Sequence, residues 1–267
     1  LAEAGADVAV LATRECTETA AMIERLGRRA EALAINLSVP GAPQEAVRHT
    51  LDRFGRLDIL VNNAGIIRRA PFLEVTERDW DDVLTVNLKS VFLLSQAAAR
   101  HMVERRSGKI IHIASMLSFQ GGIRVAPYTA AKSGLLGLTR IMANELAPFG
   151  VQCNAIAPGY MATDNTAPLR ADERRNAEIL SRIPAGRWAR RRIWRVLWCF
   201  WPRPPPTMFR AQCSQWMGVG SRGSGSGLDL PPALGRSRLN GWRPQHDCCV
   251  DQPDDQCKRG DVSATAG

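Results

Sequence analysis

The chain has 267 residues, 45% hydrophobic and 23% charged, with a formal net charge of +9. That length holds one large domain or two small ones around a buried core, and the composition is that of a globular chain. No apolar run reaches the roughly 18 residues of a membrane span, nothing at the start reads as a signal peptide, and collagen, coiled coil, a secreted disulfide knot and a wholly disordered chain are excluded too.

In chain order, Leu1 to Gly5 reads as the end of a helix closed by Gly5. Short apolar runs bounded by Gly, Asn, Ser or Pro predict buried strands at 8–12, 32–37, 58–61, 109–114 and 151–157. Helical patterns lie between and after them, at 17–26, 44–54, 79–105 and 128–148. Before the third, Thr76 offers a hydroxyl N-cap, and Glu77 and Asp79 meet the positive end of the helix dipole. Strands alternating with helices imply βαβ units and a parallel, doubly wound sheet. Such sheets bind ligands at the carboxyl ends of their strands. A sheet of this kind needs a strand and a turn before the first helix, and none is expected here.

The averages conceal a split. From Arg190 to Gly267 there are 12 basic and 6 acidic side chains, so that stretch holds +6 of the +9 net charge. It also holds five of the seven Trp and five of the seven Cys. The basic character therefore belongs mostly to residues 190–267. Residues 1–189 are nearly balanced.

Five features, each at a strand end or facing one, carry the chemistry. Tyr128 and Lys132 are four apart on a helix, hence on one face. A nearby ammonium is expected to lower the phenol's pKa, so the pair exchanges a proton with an alcohol or carbonyl. Ser115 follows the fourth strand, thirteen residues before Tyr128, where its hydroxyl can bond a substrate oxygen or simply make a turn. Asn62-Asn63-Ala64-Gly65 ends the third strand, and small residues there let a flat ring or ribose approach the backbone. Asn87 lies mid-helix among apolar residues and needs a partner, such as a bound water, a backbone kink or a neighbouring carbonyl. After the last strand, Pro158-Gly159 fixes a sharp exit toward Met161 and Thr163.

Taken in this order, these residues resemble the classical short-chain dehydrogenase/reductase family over about residues 1–189. The resemblance implies a Rossmann-like fold and an NAD-dependent oxidoreductase, with NADP open. It implies Tyr128 as acid/base, Lys132 as the group that lowers its pKa and binds the nicotinamide ribose, and Ser115 as the substrate-oxygen anchor. Asn87 is implied to hold a proton-relay water. Asn36, Leu37, Asn62, Ala64, Gly65, Pro158, Gly159, Met161 and Thr163 are implied on the cofactor side.

The segments Asn62-Asn-Ala-Gly-Ile-Ile-Arg-Arg69, Asp79-Trp-Asp-Asp82, Ser115-Met-Leu-Ser-Phe-Gln-Gly-Gly-Ile-Arg124, Gly159-Tyr-Met-Ala162 and Leu169-Arg-Ala-Asp172 are similar to a branch acting on sugar acids such as 2-deoxy-D-gluconate. Arg124, four residues before Tyr128, either forks onto the substrate carboxylate or is a solvated loop arginine.

The chain departs from the family in three ways. The first strand and Gly-rich turn are missing from it. Asn36 stands where an Asp is usual, and Arg14 where an acidic residue would hold a ribose hydroxyl. The similarity stops after Trp188.

Giving residues 190–201 GC-rich codons and starting at the third base of Arg190 yields Pro-Glu-Asp-Leu-Ala-Gly-Ala-Val-Val-Phe-Leu-Ala, the family's usual next segment. Residues 215–222 likewise permit Val-Asp-Gly-Gly-Trp-Leu-Ala, its usual C-terminus. Residues 190–267 thus read as a stretch in a shifted frame, expected to be largely disordered and sticky around 194–201, and the sheet is expected to lack its last helix and strand. Arg190 to Arg192 as a nucleic-acid patch, 202–206 as a polyproline ligand and Cys248, Cys249, Cys257 and His246 as metal ligands are all set aside, the last because the spacing matches no zinc pattern.

The expected partner is a small sugar acid, with no metal, nucleic acid or membrane. Cys16 and Cys153 fit a reduced cytoplasm. Intact relatives are implied to be homo-oligomers, and no stable tetramer is expected of this chain. An inactive remnant of such an enzyme is the alternative function.

Overall fold

Alternation of short apolar runs with amphipathic stretches gives a parallel α/β arrangement in the computed structural model, which describes residues 1–190 and a two-residue strand at 213–214. Strand β1 (Val8–Ala12) is followed by helix α1 (Thr17–Arg25), strand β2 (Ala30–Ala34) and helix α2 (Ala42–Phe54). Strand β3 (Ile59–Asn62) leads to helix α3 (Glu77–Leu84), which runs through a π-turn, Thr85–Lys89, into helix α4 (Ser90–Glu104). Strand β4 (Gly108–Ile113), helix α5 (Ala126–Leu146) and strand β5 (Val151–Ile156) complete the repeat, and helices α6 (Ala167–Ala171) and α7 (Glu173–Leu180) follow.

Local chemistry sets several boundaries. Gly5 closes a short turn at Ala2–Ala4 in the left-handed region, φ 92°. The Thr76 hydroxyl accepts the Asp79 N–H at 3.1 Å and caps α3 as expected. Strand β2 lies two to three residues earlier than the apolar run 32–37 suggests. The parallel ladder pairs Val8 with Ala30, and Asn36 Oδ1 turns the chain by accepting from Ser38 N–H and Oγ–H.

Every strand pair is parallel, and the strands form two groups, β1–β2 and β3–β4–β5 followed by the strand β6 (Cys213–Ser214). Among the described residues no strand pairing joins the two groups. Beyond β5 the sequence predicts no strand, yet β6 pairs with Ala155 and Ile156. The other expectations for 191–212 and 215–267, including those for 194–201, 202–206, His246, Cys248, Cys249 and Cys257, lie outside the described residues.

Strands β4 and β5 are the most buried. Ile110, Val151 and Cys153 pack with Ala46 and Val47 of α2, Leu94, Ala98 and Met102 of α4 and Met142 of α5. Complete burial of a side chain such as Ile110 stabilises the fold by roughly 1.5–3 kcal/mol. The register aligns Asn62 with His112 and His112 with Ala155, so β3, β4 and β5 end along one edge. Among the described residues, no helix is long and apolar enough to cross a membrane.

Candidate active site

The loops that leave β3, β4 and β5 surround one edge of the sheet, and α5 brings Tyr128 and Lys132 to it. Ser115 caps a short turn, Met116–Ser118, just past β4. Its Oγ accepts the Leu117 N–H at 3.2 Å, and its hydroxyl lies on the side of the Tyr128 phenol, where it favours the ionised form. Ser118 Oγ accepts the Ser115 N–H and donates to the Lys132 carbonyl at 2.6 Å, which ties the serine turn to α5. Serine and phenol are held together by main-chain contacts that depend on the Ser115–Ser118 spacing.

Lys132 is 4% exposed. Its ammonium donates to the Ile113 carbonyl at 2.5 Å and stands 5.7 Å from the centroid of the Tyr128 ring. Burial pushes its pKa down to about 8. The effect on Tyr128 differs from the sequence expectation. Burial raises the phenol's pKa, and the groups that pull it back are the Ser115 hydroxyl and then the Arg69 guanidinium, not Lys132. The ammonium is turned toward a backbone carbonyl and acts on the tyrosine less than its spacing suggests.

Asn87 sits fully buried at the centre of the π-turn. Its Oδ1 accepts the Ile66 N–H and its Nδ2 donates to the Ile66 carbonyl, both at 2.8 Å. The kink is therefore realised, and the side chain is bonded to the loop after β3. That loop carries Gly65. A Cβ there would lie 3.3 Å from Asn87 Oδ1 and 3.8 Å from Lys132 Nζ, filling the space over the ammonium.

Asn62 is buried and its Nδ2 donates to Ser95 Oγ at 3.0 Å. The chain continues through His112 to Thr139, and its direction is fixed. Thr139 Oγ1 donates to the Leu135 carbonyl at 2.6 Å, so it accepts from His112 Nδ1–H at 2.9 Å. His112 Nε2 then accepts from Ser95 Oγ–H at 3.2 Å. Neutral His112 thus links α4, β4 and α5, and burial lowers its pKa to about 4. Asn62 Oδ1 is buried with no hydrogen-bond partner. Asn62 acts from beneath the edge, anchoring it, rather than standing in the open.

The remaining expected residues scatter more widely. Ala64 is exposed in the loop after β3, and Arg124 is exposed in left-handed backbone, φ 63°. Asn36 folds onto Ser38 beyond β2, and Leu37 packs against the core. The Pro158 carbonyl accepts from Met116 N–H, which places the exit of β5 beside the serine turn, and a Cβ at Gly159 would stand 2.8 Å from Met116 Cγ. Met161 bridges to Ala189, and Thr163 caps a turn with Thr166. Arg14 is exposed after β1.

Sequence reasoning gave no role to Arg69, whose charge acts on Tyr128, nor to His112. The signal for Arg69 was the pair Arg68-Arg69 just past the Asn-Gly loop, but spacing does not tell which of the two acts on Tyr128. Arg68 faces Asp79 and Asp82, at 3.4 and 4.0 Å.

Comparison with known proteins accounts for this constellation. A family model described as short chain dehydrogenase matches residues 1–174. A 2-dehydro-3-deoxy-D-gluconate 5-dehydrogenase from Escherichia coli strain K12 is 58% identical over 190 residues, covering 70% of this chain and 75% of that protein. Its namesake from Bacillus subtilis strain 168 is 50% identical over 189 residues, covering 70% and 74%. Among solved structures, a gluconate 5-dehydrogenase from Burkholderia cenocepacia J2315 in complex with NADP and tartrate matches with TM-score 0.67 at 37% identity, over 71% of this chain and 75% of that one.

Proposed function

The chain belongs to the short chain dehydrogenase family, and from that premise we propose that it transfers a hydride between a nicotinamide cofactor and a secondary alcohol or ketone of a sugar acid. The observation that carries the reading is the serine turn tied to α5 through Ser118 and the Lys132 carbonyl, with the Lys132 ammonium 5.7 Å from the Tyr128 ring on the same helix. Substrates of the class named by the relatives, 2-dehydro-3-deoxy-D-gluconate or 2-deoxy-D-gluconate, carry the required carbonyl or hydroxyl together with a carboxylate.

The residues present fit a nicotinamide ribose. Gly65 leaves room over Lys132, and of the ammonium's three donors one is taken by Ile113. Lys132, Tyr128 and Thr163 would hold the nicotinamide end, and Asn36 and Leu37 the adenine end, with NAD or NADP. When bound, the cofactor supplies or accepts the hydride.

The protein's own part is to bind, orient and move the proton. Ser115 holds the reacting oxygen beside Tyr128. In reduction, Tyr128 O–H gives its proton to the carbonyl oxygen as that oxygen gains charge. In oxidation, the phenolate takes the proton from the alcohol. Burial keeps the phenol protonated near neutrality, which favours donation, while Ser115 and Arg69 draw it toward the ionised form. Asn87 keeps the Gly65 loop against Lys132 by clamping Ile66. The free thiols Cys16 and Cys153 support a reducing compartment, the cytoplasm.

The test is nicotinamide absorbance during turnover of a panel of sugar acids and neutral sugars, with NAD and with NADP. Turnover of a keto or hydroxy sugar acid supports the reading. Turnover of neutral sugars alone contradicts the substrate class. Absence of both turnover and NADH binding by calorimetry supports the inactive remnant.

A further inference from the structure

Lys132 is bound to the serine turn at both of its ends. Its ammonium donates to the Ile113 carbonyl at 2.5 Å, two residues before Ser115. Its main-chain carbonyl accepts the Ser118 hydroxyl at 2.6 Å, three residues after Ser115. One residue of α5 thus brackets Ser115 from both sides along the chain.

The Ser118 hydroxyl has one proton, which goes to Lys132, so its oxygen accepts the Ser115 N–H at 3.2 Å. A carbonyl has two lone pairs, so Lys132 takes this bond without leaving its helix. Ser115 Oγ in turn accepts the Leu117 N–H, which leaves the Ser115 proton for an oxygen on the Tyr128 side. With alanine at 118 the Ser115 N–H loses this acceptor and the turn loses its tie to α5. The turn itself stays attached to β5 and its exit, because Ala114 N–H donates to the Ile156 carbonyl at 2.8 Å and Met116 N–H to the Pro158 carbonyl at 3.3 Å. Placement is lost rather than the fold.

The groups that face the phenol come from three elements. Ser115 stands on the turn after β4, Arg69 on the loop after β3 and Lys132 on α5. Arg69 is held by the Asn165 carbonyl, and Arg175 of α7 acts on its charge. Ser118 holds the backbone of Ser115.

We propose that Ser118 is a positioning residue: with Lys132 it brackets the turn that keeps the Ser115 hydroxyl at the Tyr128 phenol, and it acts through that serine. This rests on the function proposed above.

The experiment compares the wild type with Ser118→Ala, Ser118→Thr, Ser118→Cys, Ser115→Ala and the double variant S115A/S118A. Turnover of 2-dehydro-3-deoxy-D-gluconate, NADH binding by calorimetry and thermal melting are measured. The chain has two tyrosines, so Tyr160→Phe leaves Tyr128 as its one phenol, and phenolate absorbance against pH, with and without S118A, reads it directly. S118A is expected to lower kcat at least about tenfold with NADH affinity kept. It should also move the phenolate titration to higher pH, because the hydroxyl that favours ionisation is no longer held in place. S118T should restore both, and S118C, which keeps the size and weakens the donor, should fall between. In the S115A background, S118A should cost nothing further. An unmoved phenolate titration, an equal loss of kcat in the S115A background, or a lower melting temperature with kcat unchanged would each overturn the assignment. A wild type that turns over no sugar acid fails at the function itself, while the phenolate titration still decides whether Ser118 places the serine.

Discussion

Tyr128 is pulled two ways. Its buried setting resists ionisation, while the Ser115 hydroxyl and the Arg69 charge favour it. The balance makes Ser115 more than an anchor. Ser115→Ala removes a group that lowers the phenol's pKa, so the pH at which alcohol oxidation rises should move upward, alongside a fall in kcat. A pH–rate profile that falls in height without moving would assign Ser115 to substrate binding alone. Gly65 gives a second prediction at this scale. Gly65→Ala should weaken NADH binding several-fold with little change in thermal stability, because the new methyl enters the space over Lys132 rather than the core. Calorimetry beside thermal melting distinguishes the two.

At the scale of elements, most of the fold could be read from the chain. Apolar runs located β1, β3, β4 and β5 to within a residue, and Thr76 marked the start of α3, because strand burial and capping are local. Thr76→Ala should lower stability by about 1 kcal/mol in urea unfolding. The π-turn was harder. Asn87 signalled a disturbance mid-helix, but its cause, the Ile66 backbone, lies 21 residues away. Asn87→Ala would leave the Ile66 N–H and carbonyl without their partner, costing on the order of 2–4 kcal/mol. The serine, tyrosine and lysine were legible because strand ends and helix spacing set their placement. The reach of Arg69 to the Asn165 carbonyl was not, since it joins residues 96 apart. The bond from Asn62 to Ser95, which ties it into the polar chain beneath the edge, was not legible either, since it joins residues 33 apart.

Across the whole molecule, His112 makes that polar chain sensitive to acid. Its folded-state pKa of about 4 lies below its ordinary 6.5, so the unfolded chain takes up the proton first. The stabilisation is complete above about pH 6.5 and is lost as pH falls toward 4, amounting at the limit to about 3 kcal/mol. His112→Asn should lack that part of the acid-induced drop in urea midpoint. The end of β3 that carries Asn62 is held by β4, α4 and α5, so this one chain joins fold stability to site geometry.

The most direct measurement is single-turnover hydride transfer from NADH or NADPH to 2-dehydro-3-deoxy-D-gluconate, in the wild type and in Tyr128→Phe, with cofactor binding followed in parallel. Proton transfer by the phenol predicts a rate lower by on the order of 10²–10⁴ in Y128F, with cofactor affinity kept. An equal rate in the two proteins would contradict it.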